Sequence, residues 1–184
     1  MKHAKLAILY GFCEGSQTGK RFEASARQAG FEIVKDARTA DVIVAHSGGC
    51  YLVPEKNSAT KILLVGPSCW PGKPLPMAFL QKFYRDFKAH SQDDALRFWC
   101  HKTLWNSVYV WNVWANWRML LAMKLFMYRQ FDPATAVIVR NANDTFVTPN
   151  VANLPFASNI QIVNLPGEHD DLWTYPEKYI NLMV

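Results

Sequence analysis

Six short apolar runs set the strongest limit on what this chain can fold into. They are Leu6–Leu9, Phe31–Val34, Val42–Val44, Ile62–Val65, Ala136–Val139 and Ile160–Val163, most of them rich in β-branched residues. A strand with one wet face alternates polar and apolar side chains. Continuous apolar runs instead suit strands covered on both faces, as in a parallel sheet. Helical patterns lie between several of them. Lys20–Ala29 is amphipathic and stops at Gly30, and Pro176–Met183 reads as a C-terminal helix with Thr174 as its N-cap. Strands alternating with helices predict an α/β fold: a mostly parallel sheet of about six strands flanked by helices. A length of 184 residues, half of them hydrophobic, fits one domain, residues 1–184, with its own core.

Residues 73–131 break the rhythm. This segment holds five of the seven tryptophans, and nine Lys/Arg against three Asp/Glu, while the rest of the chain has a net charge of −1. Trp111, Trp114, Trp117, Leu121, Leu125 and Tyr128 follow helical spacing, on a pattern apolar nearly all round, which means burial. The segment reads as a helical insertion between two strands. Three roles stay open for it: a lid packed on the sheet edge, a wall for an apolar acyl or aromatic substrate, or a surface that touches membrane. Nucleic acid is not expected, because no binding motif accompanies the charge.

The chemistry concentrates where strands end. "AHSGG", residues 45–49, follows the Val42–Val44 run and matches the G-x-S-x-G turn with alanine in the first position. Such a turn presents the central side chain above the sheet edge. It needs small residues on either side because strand and helix pass close together. Ala45 and Gly49 meet that need, and the Gly48 amide would point to where an oxyanion at Ser47 sits. A serine hydroxyl needs a base, and the base needs an orienting acid. "AVIVRNANDTFVTP" places Asp144 just beyond one strand, and "IQIVNLPGEHDDLW" places His169 beyond the last. In a parallel sheet these loops leave the same edge, where ligands bind. The order Ser47, Asp144, His169 therefore reads as nucleophile, acid and base. Asp170 and Asp171 are rival acids, but a residue adjacent to His169 reaches its Nδ1 poorly. His46 reads as packing beneath the turn, and Cys13 and Cys50 as small packing residues. Glu168-His169-Asp170-Asp171 lacks metal-ligand spacing.

These residues together resemble the α/β-hydrolase superfamily over most of the chain outside residues 73–131. "AHSGG" resembles its nucleophile elbow, "NANDTFVTP" its acid loop, "PGEHDDLWTYPEKYINLMV" its histidine loop and last helix, and "LYGFCEGS" its oxyanion loop. The resemblance implies a second oxyanion donor at the Phe12 amide, with Cys13 the neighbouring candidate. It also implies that residues 73–131 occupy the place of a lid. The chain departs from the pattern at Ala45 and Asn141, where glycines are usual, and at Tyr10, where a histidine commonly leads the oxyanion loop. The first strands of the full fold have no counterpart. The link from Val34 to Val42 is also short for a crossover over an intervening strand, so either the second strand is frayed or that sheet edge is rearranged.

The reading that follows is a serine hydrolase acting on a small-molecule ester or thioester with an apolar moiety, through an acyl-enzyme intermediate, with Trp111, Trp114 and Trp117 lining the substrate site. No metal or organic cofactor is implied. The rival is a non-catalytic binding protein on the same fold, using the Trp-rich basic lid for a lipid, membrane or protein partner. The N-terminal apolar run is too short for a signal-peptide core, and no apolar stretch has the length of a membrane span. The four cysteines show no CxxC spacing, so thiols in a reducing, cytoplasmic setting are expected.

Overall fold

Each of the six apolar runs becomes a strand, and every pairing between them is parallel. The computed structural model describes residues 3–11, 14, 18–67, 130–144 and 157–184. The strands are β1 (Ala4–Leu9), β2 (Phe31–Val34), β3 (Val42–His46), β4 (Lys61–Val65), β5 (Ala136–Asn141) and β6 (Gln161–Leu165). They form one sheet in the order β2-β1-β3-β4-β5-β6. The α-helices among the described residues are α1 (Lys20–Gln28), α2 (Asp171–Thr174) and α3 (Glu177–Ile180). Of residues 73–131, the expected lid, only Gln130 and Phe131 are among the described residues. No helix among the described residues is long and apolar enough to cross a membrane.

Both faces of the sheet are covered, which is why its strands read as unbroken apolar runs. Leu6, Val42, Val44, Leu63, Val65 and Val139 point to one face, against Phe22 and Ala26 of α1, Leu172 and Trp173 of α2, and Tyr179 and Ile180 of α3. Ile43, Ala45, Ile62, Leu64 and Ile138 point to the other, against Cys50, Tyr51, Val53, Phe131, Ala157 and Ile160. Strand side chains alternate between faces, so a single run such as Val42–Ala45 serves both cores. The edges are wetter: β2 and β6 have largely half-buried or exposed positions, whereas all five residues of β3 are buried.

The short Val34–Val42 link neither frays β2 nor rearranges the edge. β2 pairs with β1 over four residues, and β1 lies between β2 and β3. The seven residues 35–41 cross under β1 through a 3-10 turn at Ala37–Thr39. Seven residues reach about 23 Å when extended, and a five-residue strand is only about 17 Å long, so the crossing needs no helix. Asp36 accepts the Arg38 amide (3.0 Å) to open the turn. Asp41 closes it, accepting the Lys5 amide through Oδ2 (2.8 Å) and donating its own amide to the Lys5 carbonyl (2.9 Å).

The C-terminus departs from the single capped helix read from the sequence. Thr174 is the last residue of α2, and α3 starts after Pro176. Tyr175 breaks the two apart with φ −130°, ψ 62°. A residue before proline is driven out of helical geometry by the pyrrolidine ring, so the helix could not run through.

After β3 the chain turns directly into a 3-10 helix, Ser47–Leu52, that passes the end of β1. A Cβ at Gly49 would overlap the Leu9 carbonyl and stand 2.8 Å from the Tyr10 carbonyl oxygen. Those are backbone atoms with nowhere to move. Gly49→Ala should therefore cost about 3 kcal/mol or more, read as a lowered urea midpoint with unchanged slope. A midpoint within the error of the parent would show that the two segments part easily.

Candidate active site

β3, β5 and β6 are parallel, and the loops that follow them leave the same sheet edge. Ser47, Asp144 and His169 each sit just beyond one of these strands. Ser47 has φ 51° and is the one non-glycine residue with positive φ among the described residues. An L residue in that left-handed region costs about 1–2 kcal/mol, so the surrounding packing must hold it there. The hold is visible at Gly11, where an added Cβ would lie 2.8 Å from Ser47 Cβ and 3.0 Å from the His46 carbonyl oxygen. Ser47 is 3% exposed, so bulk water scarcely reaches it.

Asp144 and His169 meet directly. His169 Nδ1 is 2.7 Å from Asp144 Oδ2, and both side chains are buried. The ionised carboxylate accepts, so the proton of a neutral ring rests on Nδ1 and leaves Nε2 as the basic nitrogen. Asp144 is thus the carboxylate on this ring. Asp171 is engaged elsewhere, accepting from Lys178 Nζ at 3.0 Å. Gly66 makes room for the pair. It follows β4 with φ 51°, and a Cβ there would stand 3.2 Å from Asp144 Oδ2 and 3.4 Å from His169 Nδ1.

Asn141, in place of the glycine usual in the resembled acid loop, has work of its own. It is buried, donates Nδ2 to the Glu168 carbonyl (2.6 Å) and accepts the Tyr179 hydroxyl at Oδ1 (2.8 Å). One side chain thereby ties the acid loop to the histidine loop and to α3. Burial pushes the Tyr179 hydroxyl well above its ordinary range, so it stays a donor.

Beneath this group lies a residue that the motif reading passed over. Glu14 accepts the Gly11 amide at Oε2 (2.6 Å) and the Trp173 indole N–H at Oε1 (3.2 Å). His46, fully buried, brings Nδ1 to 2.7 Å from Glu14 Oε1, a close contact bent away from ideal hydrogen-bond alignment. Its ring lies 4.6 Å from the His169 ring and edge-on to Trp173 at 5.2 Å. The sequence signal for Glu14 was a single carboxylate in the loop after β1, with no pattern to single it out.

Glu14, His46, His169 and Asp170 bring one metal-capable atom each within 4.8 Å of one another. His46 has both ring nitrogens engaged, Nε2 on the His169 carbonyl at 2.9 Å and Nδ1 on Glu14. A cation would have to displace Glu14 from His46, so the donors fit one another better than they fit a metal. Phe12 and Cys13, the expected oxyanion positions, and Trp111, Trp114 and Trp117 lie outside the described residues. Cys50 is buried with its thiol directed at the Ala45 carbonyl (3.2 Å), a packing role.

No protein-family model matches the sequence, and no curated protein matches it significantly. Solved structures do match the fold. A thioesterase domain from the curacin biosynthetic pathway aligns with a TM-score of 0.62 at 9% identity, covering 99% of this chain and 91% of its own. A carboxylesterase of the thaumarchaeon Nitrososphaera gargenis aligns at 0.57 and 9% identity, covering 98% and 88%. A marine microorganism esterase aligns at 0.56 and 13% identity, covering 99% and 94%. With its all-parallel sheet and the tight turn after β3, a likeness spanning nearly the whole chain shows that this protein has the α/β-hydrolase fold.

Proposed function

We propose that the protein is a serine hydrolase that cleaves a small-molecule ester or thioester with an apolar moiety through an acyl-enzyme intermediate. The observation that carries this reading is the Asp144–His169 hydrogen bond, 2.7 Å long, at the sheet edge where Ser47 is held in a left-handed turn. That solved structures of like fold include a thioesterase and esterases supports the reaction class. Ser47 Oγ attacks the acyl carbon as His169 Nε2 takes its proton. His169 returns that proton to the departing alcohol or thiol, then activates water to release the acid. Asp144 keeps the imidazole in the tautomer with its proton on Nδ1 and steadies the imidazolium that forms. The Gly48 and Phe12 amides stabilise the oxyanion.

The test is labelling with a fluorophosphonate, followed by rates on p-nitrophenyl esters of increasing chain length. Ser47→Ala should abolish labelling with the fold intact, and His169→Ala should nearly do so. Labelling that persists in Ser47→Ala sinks the assignment. A second substitution separates chemistry from strain. Ser47→Gly should also be unlabelled, yet exceed Ser47→Ala in stability by about 1 kcal/mol, because glycine meets positive φ without a Cβ penalty. Equal melting temperatures for the two variants would show that the turn stores no strain.

Gly66→Ala tests the Asp144–His169 geometry without removing a reacting group. The new methyl presses on both side chains from a backbone that favours glycine, so the pair must shift by a few tenths of an ångström. Labelling should slow by about tenfold or more, since misplacement of reacting groups is costly. A labelling rate equal to the parent's would show that the pair tolerates displacement.

A further inference from the structure

Glu14 and His46 are buried ionisable groups that the reaction above leaves idle. Their protons can be assigned from geometry. His46 Nε2 lies 2.9 Å from the His169 carbonyl, which can only accept, so Nε2 carries hydrogen. His46 Nδ1 lies 2.7 Å from Glu14 Oε1, and two bare lone pairs would repel at that distance. One of the two atoms therefore carries a proton. Glu14 also receives the Gly11 amide and the Trp173 indole N–H, a donor set that favours the ionised carboxylate. The shared proton then belongs to His46. Burial alone would raise the Glu14 carboxyl and lower the His46 imidazole. The partner's charge and hydrogen bonding together outweigh it, with the Gly11 amide adding to them at Glu14 and the His169 carbonyl at His46, so Glu14 ends below and His46 above its ordinary value.

We infer that Glu14 and His46 form a buried ion pair that positions His169 and the loop after β1 around Ser47. Through Gly11 the pair holds the backbone against which Ser47 Cβ packs. Through the His169 carbonyl it holds the backbone of the proposed base, and through Trp173 it holds α2, whose ring stacks on Tyr10 at 5.4 Å. The pair carries no net charge, so it braces two loops and α2 without opposing negative charge that develops at Ser47. Its ionisable neighbours are His169 and Asp170 from the histidine loop, with Asp144 on the far side of His169. Tyr10 turns its hydroxyl away, to Glu23 (2.8 Å). The inference rests on the hydrolase reading for its effect on rate, and on geometry alone for the pair.

The pair also sets a pH signature. The depressed Glu14 pKa gives stability that is present above the unfolded value of 4.5 and lost as pH falls. The raised His46 pKa gives stability that is full below 6.5 and lost as pH rises through the folded value. The parent should therefore gain most over Glu14→Gln between these two pH values, and the gap between their melting curves should narrow on either side.

Histidine-selective ¹⁵N NMR of the parent tests the pair without any variant: at pH 7 the His46 ring should show both nitrogens protonated. In Glu14→Gln it should show hydrogen on Nε2 alone, and the His169 ring resonances should move. Fluorophosphonate labelling at saturation should slow about tenfold to a hundredfold, with the half-saturating concentration unchanged. The double variant Glu14→Gln/His46→Gln should be no slower than the slower single, as for groups that act as a unit. A neutral His46 ring in the parent overturns the inference. So do unmoved His169 resonances together with parental labelling in Glu14→Gln. If the parent itself takes no label, the hydrolase reading falls, and the His46 and His169 resonances still decide the pair.

Discussion

Complete burial of β3 is the constraint on which the rest of the structure depends. All five of its residues are enclosed, with α1–α3 covering one face and the residues around Cys50, Tyr51 and Phe131 covering the other. A chain leaving so enclosed a strand has little room to turn. It turns at Ser47 in a left-handed conformation, with Gly48 and Gly49 next and Gly11 opposite. Small residues there are a steric necessity, and the turn leaves Ser47 at the sheet edge where two other loops arrive.

At that edge the structure solves the problem of placing ionisable groups out of water twice. Asp144 meets His169, and Glu14 meets His46. Each carboxylate faces an imidazole at 2.7 Å, and the two rings lie 4.6 Å apart. An isolated buried charge costs several kcal/mol, and a paired, hydrogen-bonded one far less. His46 spends its Nε2 on the His169 carbonyl, which commits it to structure. The Nδ1–Asp144 bond puts the proton of a neutral His169 ring on Nδ1.

Much of this was legible in the chain. Double burial leaves continuous apolar runs, so the six strands could be read from composition over short windows, although β3 runs on through Ala45 and His46, where apolar character stops. Asp144 and His169 could be read because parallel strands deliver their following loops to one edge. Other features could not be read. Thr174 looked like a cap because Pro176–Met183 reads as one helix, and nothing periodic marks the four-residue α2 that ends at Thr174 and seats Leu172 and Trp173 on the sheet. The Val34–Val42 link looked too short because its adequacy depends on strand length, which side-chain pattern reports only loosely.

By itself, then, the sequence determined what is local or periodic: the apolar runs, the small residues about Ser47, and the order of Ser47, Asp144 and His169 along the chain. Tertiary structure alone decided which ionisable groups meet. Glu14 and His46 are 32 positions apart in the chain, and His46 and His169 are 123 apart, yet they touch. No periodicity marks such contacts, because they arise where three strand ends and α2 converge. Once there, burial removes the water that would otherwise satisfy each charge, and every group must take its partner from whatever the fold has brought within reach.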